Sequence, residues 1–235
     1  MKVLAKSVIP LFLAATLAAC SSPQTPVSYS APAPSEPDVT TRSDTTQAST
    51  PVSFNQAFYD ASAQRNAKEI AELTQAFINL GPGVDPSEAA RAARVVYTYV
   101  DQLVIEYQIT DPPLVHNSKV NFGIKPRGLC WHWAHDIDDR LQLERFRTLE
   151  IHRAIANYNN LRLEHSTTIL GRRGDPMAKA IVLDPWRNGG EVFWEIVEKD
   201  TRYNWTPRDE VFAFKRARKQ SQDGASERRA GRERF

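Results

Sequence analysis

Cysteine is almost absent from this chain: 235 residues contain two, Cys20 and Cys130. Neither sign of charge dominates, with 30 Lys and Arg against 28 Asp and Glu. Losing Lys2 and Lys6 with an N-terminal leader would take the balance from +2 to zero, 28 against 28. No basic face with interleaved aromatics marks the central region, so nucleic acid is not an expected partner. No internal repeat recurs, and no apolar run after the first twenty residues suggests a further membrane span.

What is present begins with that leader. "MKVLAKSVIPLFLAATLAAC" has two lysines, an apolar stretch and small residues before a cysteine, the layout of a secretory signal. Its end, Leu17-Ala18-Ala19-Cys20, resembles the lipobox of bacterial lipoproteins. The resemblance implies a signal peptide over 1–19 and a diacylglycerol on the Cys20 sulfur. With Ser21 following, it also implies an outer-membrane address facing the periplasm, and stable anchoring by the acyl chains. Residues 20–52 are then mostly Ser, Thr, Pro and Ala, too poor in apolar groups to offset ordering entropy, and read as a tether. From Lys215 the chain is basic and again short of apolar residues, so 215–235 reads as a solvated, disordered tail. One folded domain is expected over 53–214.

Within that domain, Ile70, Leu73, Phe77 and Leu80 recur at helical spacing before Gly-Pro-Gly. A second helix starts at Asp85-Pro86 with Glu88 placed to complete a capping box. Its inward face would carry Ala89, Ala93, Tyr97, Val100, Val104 and Tyr107. Residues 109–127, with three prolines, read as irregular. A third helix follows, on which Cys130, Trp133, Ala134, Ile137 and Leu141 fall on one stripe. The period then changes. "TLEIHRAIA", "LRLEHSTTIL", "AKAIVLD" and "EVFWEIV" are separated by turn signals and predict an antiparallel sheet of at least four strands. The fold class expected is α+β.

The thiol raises the functional question. If Cys20 is acylated, Cys130 has no intrachain disulfide partner in an oxidising compartment. A cysteine in the first turn of a helix can act as a nucleophile if an imidazole takes its proton and another group orients that imidazole. His132 and His135 share the cysteine's helix and are poorly placed to face its sulfur. His165 follows Leu161 and Leu163 at two-residue spacing and should point inward with them. A hairpin centred near Gly174 would set His165 opposite residue 183, within reach of Asp184. Cys130, His165 and Asp184 are therefore the candidate catalytic set, with Trp131 and Trp186 as candidate cleft walls.

The order Cys, His, Asp on helix, strand and next strand resembles the transglutaminase-like superfamily, in particular its bacterial cysteine-peptidase branch. The residues carrying the resemblance are Gly128-Leu129-Cys130-Trp131, His165 and Asp184-Pro185-Trp186, over roughly residues 85–200. It implies a cysteine helix packed on an antiparallel sheet, no cofactor, and a protein or peptide substrate, cell-wall peptide being the second choice. It also implies a side-chain oxyanion donor upstream of the cysteine, for which Asn121 and His116 are candidates. Adhesin-clipping members carry acidic residues beside the cysteine that are associated with calcium; here Trp131 and His132 follow it, so calcium is not carried over. The pairs His132/Asp136 and His135/Asp139 lack a further ligand, so no metal is expected and "HWAHDIDD" reads as a solvated helix face. Two other readings stand beside this one: an inactive transglutaminase-like binding module, and a papain-like or wall-amidase fold with the same Cys-then-His order.

Overall fold

The computed structural model describes residues 54–160 and 163–232, with side chains to Gly224. The expected signal, Cys20 and the tether lie outside the described residues, as does Leu161. Six helices and five strands follow in the order α1 (Gln56–Arg65), α2 (Ala67–Ile78), α3 (Pro86–Glu106), α4 (Pro113–Asn121), α5 (Cys130–Gln142), β1 (Leu149–Ala156), β2 (His165–Arg172), β3 (Ile181–Asp184), β4 (Phe193–Ile196), β5 (Trp205–Pro207) and α6 (Arg208–Arg232). The strands form one antiparallel sheet ordered β4-β3-β2-β1-β5. The fold is α+β. Among the described residues no helix is long and apolar enough to cross a membrane.

The core lies where α3 and α5 meet the sheet. Leu73 and Phe77 of α2 are buried, as are Ala89, Ala93, Tyr97 and Val100 of α3 and the whole Cys130, Trp133, Ala134, Ile137, Leu141 stripe of α5. Each large side chain of this set contributes about 1.5–3 kcal/mol by leaving water. A hydrogen bond from the Thr168 hydroxyl to the Ala134 carbonyl (2.6 Å) locks α5 onto β2.

Several expectations need correction. The first helix is two, because the chain turns at Asn66, whose side chain donates to Asp101 together with Ser62 and Arg65. Asp85 does cap α3, accepting from Ser87 N and Glu88 N. Glu88 does not close a capping box. Its carboxylate reaches across the chain to the backbone N–H groups of Arg147 and Thr148 (2.8 Å each) and the Thr148 hydroxyl (2.6 Å). Residues 109–127 are not irregular throughout, since Pro112 and Pro113 initiate α4, where a missing N–H costs nothing.

Strand β2 starts at His165, and Leu163 is 60% exposed, so the leucines do not set the direction of the imidazole. The β2–β3 register pairs Thr168 with Leu183, not His165 with residue 183. The connection is longer than a hairpin at Gly174 because a 3-10 turn, Met177–Lys179, is inserted before β3. The tail also differs: residues from Lys215 continue α6 to Arg232. Ala, Arg, Lys, Gln and Glu need no core to favour helix, and tertiary anchors exist. Val211 is fully buried, Phe214 stacks edge-on against Tyr158, and Lys215 pairs with Glu164 at 2.5 Å.

Candidate active site

The site sits at one end of the sheet, where β2 begins and β3 ends. Glycine at 128 opens it. Gly128 has φ +118°, and a Cβ there would collide with the His116 imidazole. His116, buried on α4, is held there by a 2.8 Å hydrogen bond from Nε2 to the Arg127 carbonyl. The Trp133 indole donates to the Gly128 carbonyl (3.1 Å), and the His132 ring accepts at Nδ1 from the Gly128 and Leu129 amides (3.1 Å each). The turn and the first turn of α5 are thereby one rigid unit, and Cys130 is the residue on which the helix starts.

His132 does not lie on a solvated face. It is buried, not solvated, and burial followed by the nearby Arg127 charge brings its pKa down to about 4. It is therefore neutral at pH 7, as an Nδ1 acceptor must be. Asp136 is also engaged, accepting from Tyr107 (2.5 Å) and from Arg127 (2.6 and 2.8 Å). Only His135 and Asp139 form the exposed pair that was expected, at 3.2 Å.

Cys130 is buried and in no disulfide. Its sulfur lies 4.0 Å from the carbonyl oxygen of Glu164, the residue immediately before His165. Thus the helix start and the strand start meet. The His165 ring is buried, and its Nε2 lies 2.7 Å from Asp184 Oδ2. A carboxylate only accepts, so Nε2 carries a proton, and in the neutral ring Nδ1 holds the lone pair. Nδ1 is buried and makes no hydrogen bond among the described residues.

Asp184 has two duties at once. Proline at 185 ends the strand, and Asp184 Oδ1 accepts from the Arg187 N–H (3.2 Å) in the following 3-10 turn at Trp186–Asn188. Its Oδ2 faces the imidazole. Burial raises the Asp184 pKa, but the His165 charge and hydrogen bond, and then Arg187, outweigh it and hold the carboxyl below the ordinary range.

Three aromatic rings close around His165: Trp186 and Tyr203 at 4.7 Å and Trp205 at 5.5 Å. Trp186 is one of the rings packed directly on the imidazole. Trp131 packs on the His132 ring, 3.8 Å between ring centres. Asn121 is exposed at the end of α4. One turn earlier, Asn117 is buried and its Oδ1 accepts from the Trp186 indole (3.0 Å), which fixes this amide beside the site. The sequence offered no sign of it, because the prolines hid the helix that carries it. Among the described residues no group of three or more His, Cys, Asp and Glu could hold a metal ion.

Comparison with protein-family models, with curated proteins and with solved structures gives no match in any of the three. The chemistry of the site therefore has to follow from its own geometry.

Proposed function

We propose that the protein is a thiol acyl-transfer enzyme, a cysteine peptidase or amidohydrolase working through Cys130, His165 and Asp184. The observation that carries this reading is the His165–Asp184 hydrogen bond of 2.7 Å, with the second ring nitrogen buried and without a hydrogen bond among the described residues, and with the Cys130 sulfur 4.0 Å from the carbonyl of the residue before His165. In this reading the Cys130 thiol gives its proton to His165 Nδ1, and Asp184 stabilises the resulting imidazolium. The thiolate attacks a peptide or amide carbonyl. The oxyanion takes hydrogen bonds at the start of α5, where the Cys130 amide is the proposed donor. His165 then returns the proton to the leaving amine, and water, deprotonated by the same ring, releases the acyl group and regenerates the thiol. No cofactor takes part in the scheme.

Water is the abundant acceptor at a cell envelope, which favours hydrolysis over cross-linking. A protein substrate is proposed first and cell-wall peptide second, with the enzyme moored to the outer membrane through an acylated Cys20. Labelled palmitate should enter the full chain and not its Cys20→Ser variant; equal labelling would remove the anchor. The location of Asp184 on the strand next to His165 favours a transglutaminase-like arrangement over a papain-like one.

An inactive binding module is the second reading, and the burial of Cys130 (2% exposed) is the observation that favours it. Alkylation separates the two. If Cys130 is catalytic, iodoacetamide modifies it in the native full chain with a pH step below the ordinary thiol range of about 8.5. Cys130→Ala would also abolish hydrolysis without unfolding the protein. A fully active alanine variant, or a thiol of ordinary reactivity, would sink the enzyme.

A further inference from the structure

Arg187 is a cation with a side chain only 4% exposed, lodged between two carboxylates. Its Nε donates to Asp184 Oδ2 at 3.0 Å, the same oxygen that meets the imidazole. Its two terminal nitrogens donate to Asp200 at 3.2 and 2.7 Å. The guanidinium lies 3.7 Å from the Phe193 ring centre and 4.8 Å from that of Tyr203. Asp200 is fixed in turn by the Trp205 indole (2.9 Å) and the Arg202 N–H (3.1 Å).

Such a network is not explained by stability alone. Burying three charges carries a desolvation cost that well-packed apolar residues would avoid. What the network adds is geometry and charge. Arg187 grips both oxygens of Asp184, one through its backbone and one through its side chain, so the carboxylate cannot rotate away from the ring. Unaided, that cation would cancel the field of Asp184 at the imidazole. Asp200 cancels the cation, and the three groups together leave one negative charge behind the ring. Tyr203 ahead of β5 also packs on the His165 ring; the Cys130 thiol of α5 lies 4.0 Å from the carbonyl of Glu164, whose own carboxylate is paired with Lys215 of α6.

We infer that Arg187 and Asp200 are positioning residues of the His165–Asp184 pair: Arg187 orients the carboxylate, and Asp200 preserves its charge toward the imidazole. The inference rests on the proposed catalytic role of that pair, but its test does not need a substrate.

The test is an NMR titration of the His165 ring in the full chain, with the resonance assigned by its loss in His165→Gln. Asp200→Asn leaves an uncompensated cation behind Asp184, and the His165 midpoint should fall by about one pH unit. Arg187→Gln leaves an uncompensated anion, and the midpoint should rise. Arg187→Lys keeps the charge, so the midpoint should move least. Should Arg187→Gln not fold, Asp200→Asn carries the sign by itself. A purely structural role predicts lower melting temperatures with an unmoved midpoint. An unmoved midpoint, or one that rises in Asp200→Asn, overturns the inference. Native alkylation kinetics on the same samples keep the two ideas apart. An ordinary thiol with the expected shift defeats the enzyme and leaves the positioning role of Arg187 and Asp200 standing; a reactive thiol with an unmoved midpoint does the reverse.

Discussion

His165 Nε2 meets Asp184 Oδ2 at 2.7 Å although the two residues are not directly opposite in the β2–β3 ladder. Continuing the observed register from Thr168↔Leu183 sets Asp184 across from Thr167, so the contact is a diagonal between side chains on the same face of the sheet. A diagonal pair needs a side chain held at a definite angle, which is what the hydrogen bond from the Arg187 N–H to Asp184 Oδ1 in the turn after Pro185 provides.

Replacing Asp184 by Asn keeps a group of the same size that can still accept from Nε2 but removes the charge. In the proposed mechanism the acyl-transfer rate should fall by about 10²–10⁴-fold with KM little changed. Steady-state kinetics on an amide substrate would measure it. A rate within twofold of the parent would show that the carboxylate has no part in the chemistry.

Gly128→Ala places a methyl group on the His116 ring at a φ of +118°. Strain and displacement together should cost about 2–4 kcal/mol in urea unfolding. In a His116→Ala background, where the collision is gone but the dihedral strain remains, the same glycine substitution should cost less than it does in the parent. Unchanged stability in the single variant would mean that the turn can relax.

Glu88→Ala strands the N–H groups of Arg147 and Thr148, which bond to the Glu88 carboxylate at 2.8 Å each, and should cost about 3 kcal/mol. Glu88→Gln, which retains an acceptor oxygen, should lose less. The two midpoints in denaturant decide this; equal losses would mean that the charge, and not the acceptor, is what matters.

Stability should fall in acid because of His132. Its folded pKa of about 4, depressed by burial and then by Arg127, lies below the unfolded value of about 6.5. The unfolded chain therefore takes up the proton first. The contribution is whole above pH ~6.5 and is lost as pH falls toward 4, amounting to about 2 kcal/mol between pH 7 and pH 5. His132→Asn lacks this titration and should show a flatter profile over that interval. Parallel profiles for the two proteins would refute the assignment.

Local signals in the sequence agree with the fold where they depend on near neighbours. The α5 stripe is buried at every position expected, Asp85 caps α3, and the change from helical to alternating period marks the start of the sheet. The same logic failed where a local pattern could be satisfied in more than one way. Glu88 suits a capping box three residues after Asp85, yet backbone donors sixty residues away took it. The prolines of 109–127 break one helix and begin another. His165 faces inward, but the leucine alternation offered as the reason is not there, since Leu163 lies outside the strand and in solvent.

The sequence by itself determined the residue types and the element that carries each: a cysteine on a glycine turn at a helix start, a histidine at one strand and an aspartate at the end of the next. Helical and strand periods, caps and turn residues are properties of a few adjacent positions, so they can be seen without a fold. Tertiary structure decided which atoms meet. The register of β2 on β3, the grip of Arg187 on Asp184, the seating of Asp200 and the placing of Asn117 against Trp186 all depend on how loops of unequal length close. Shifting a strand by one residue sends every side chain to the other face, and nothing in the neighbouring residues prevents that shift. Packing against α5, reinforced by the Thr168–Ala134 hydrogen bond, does.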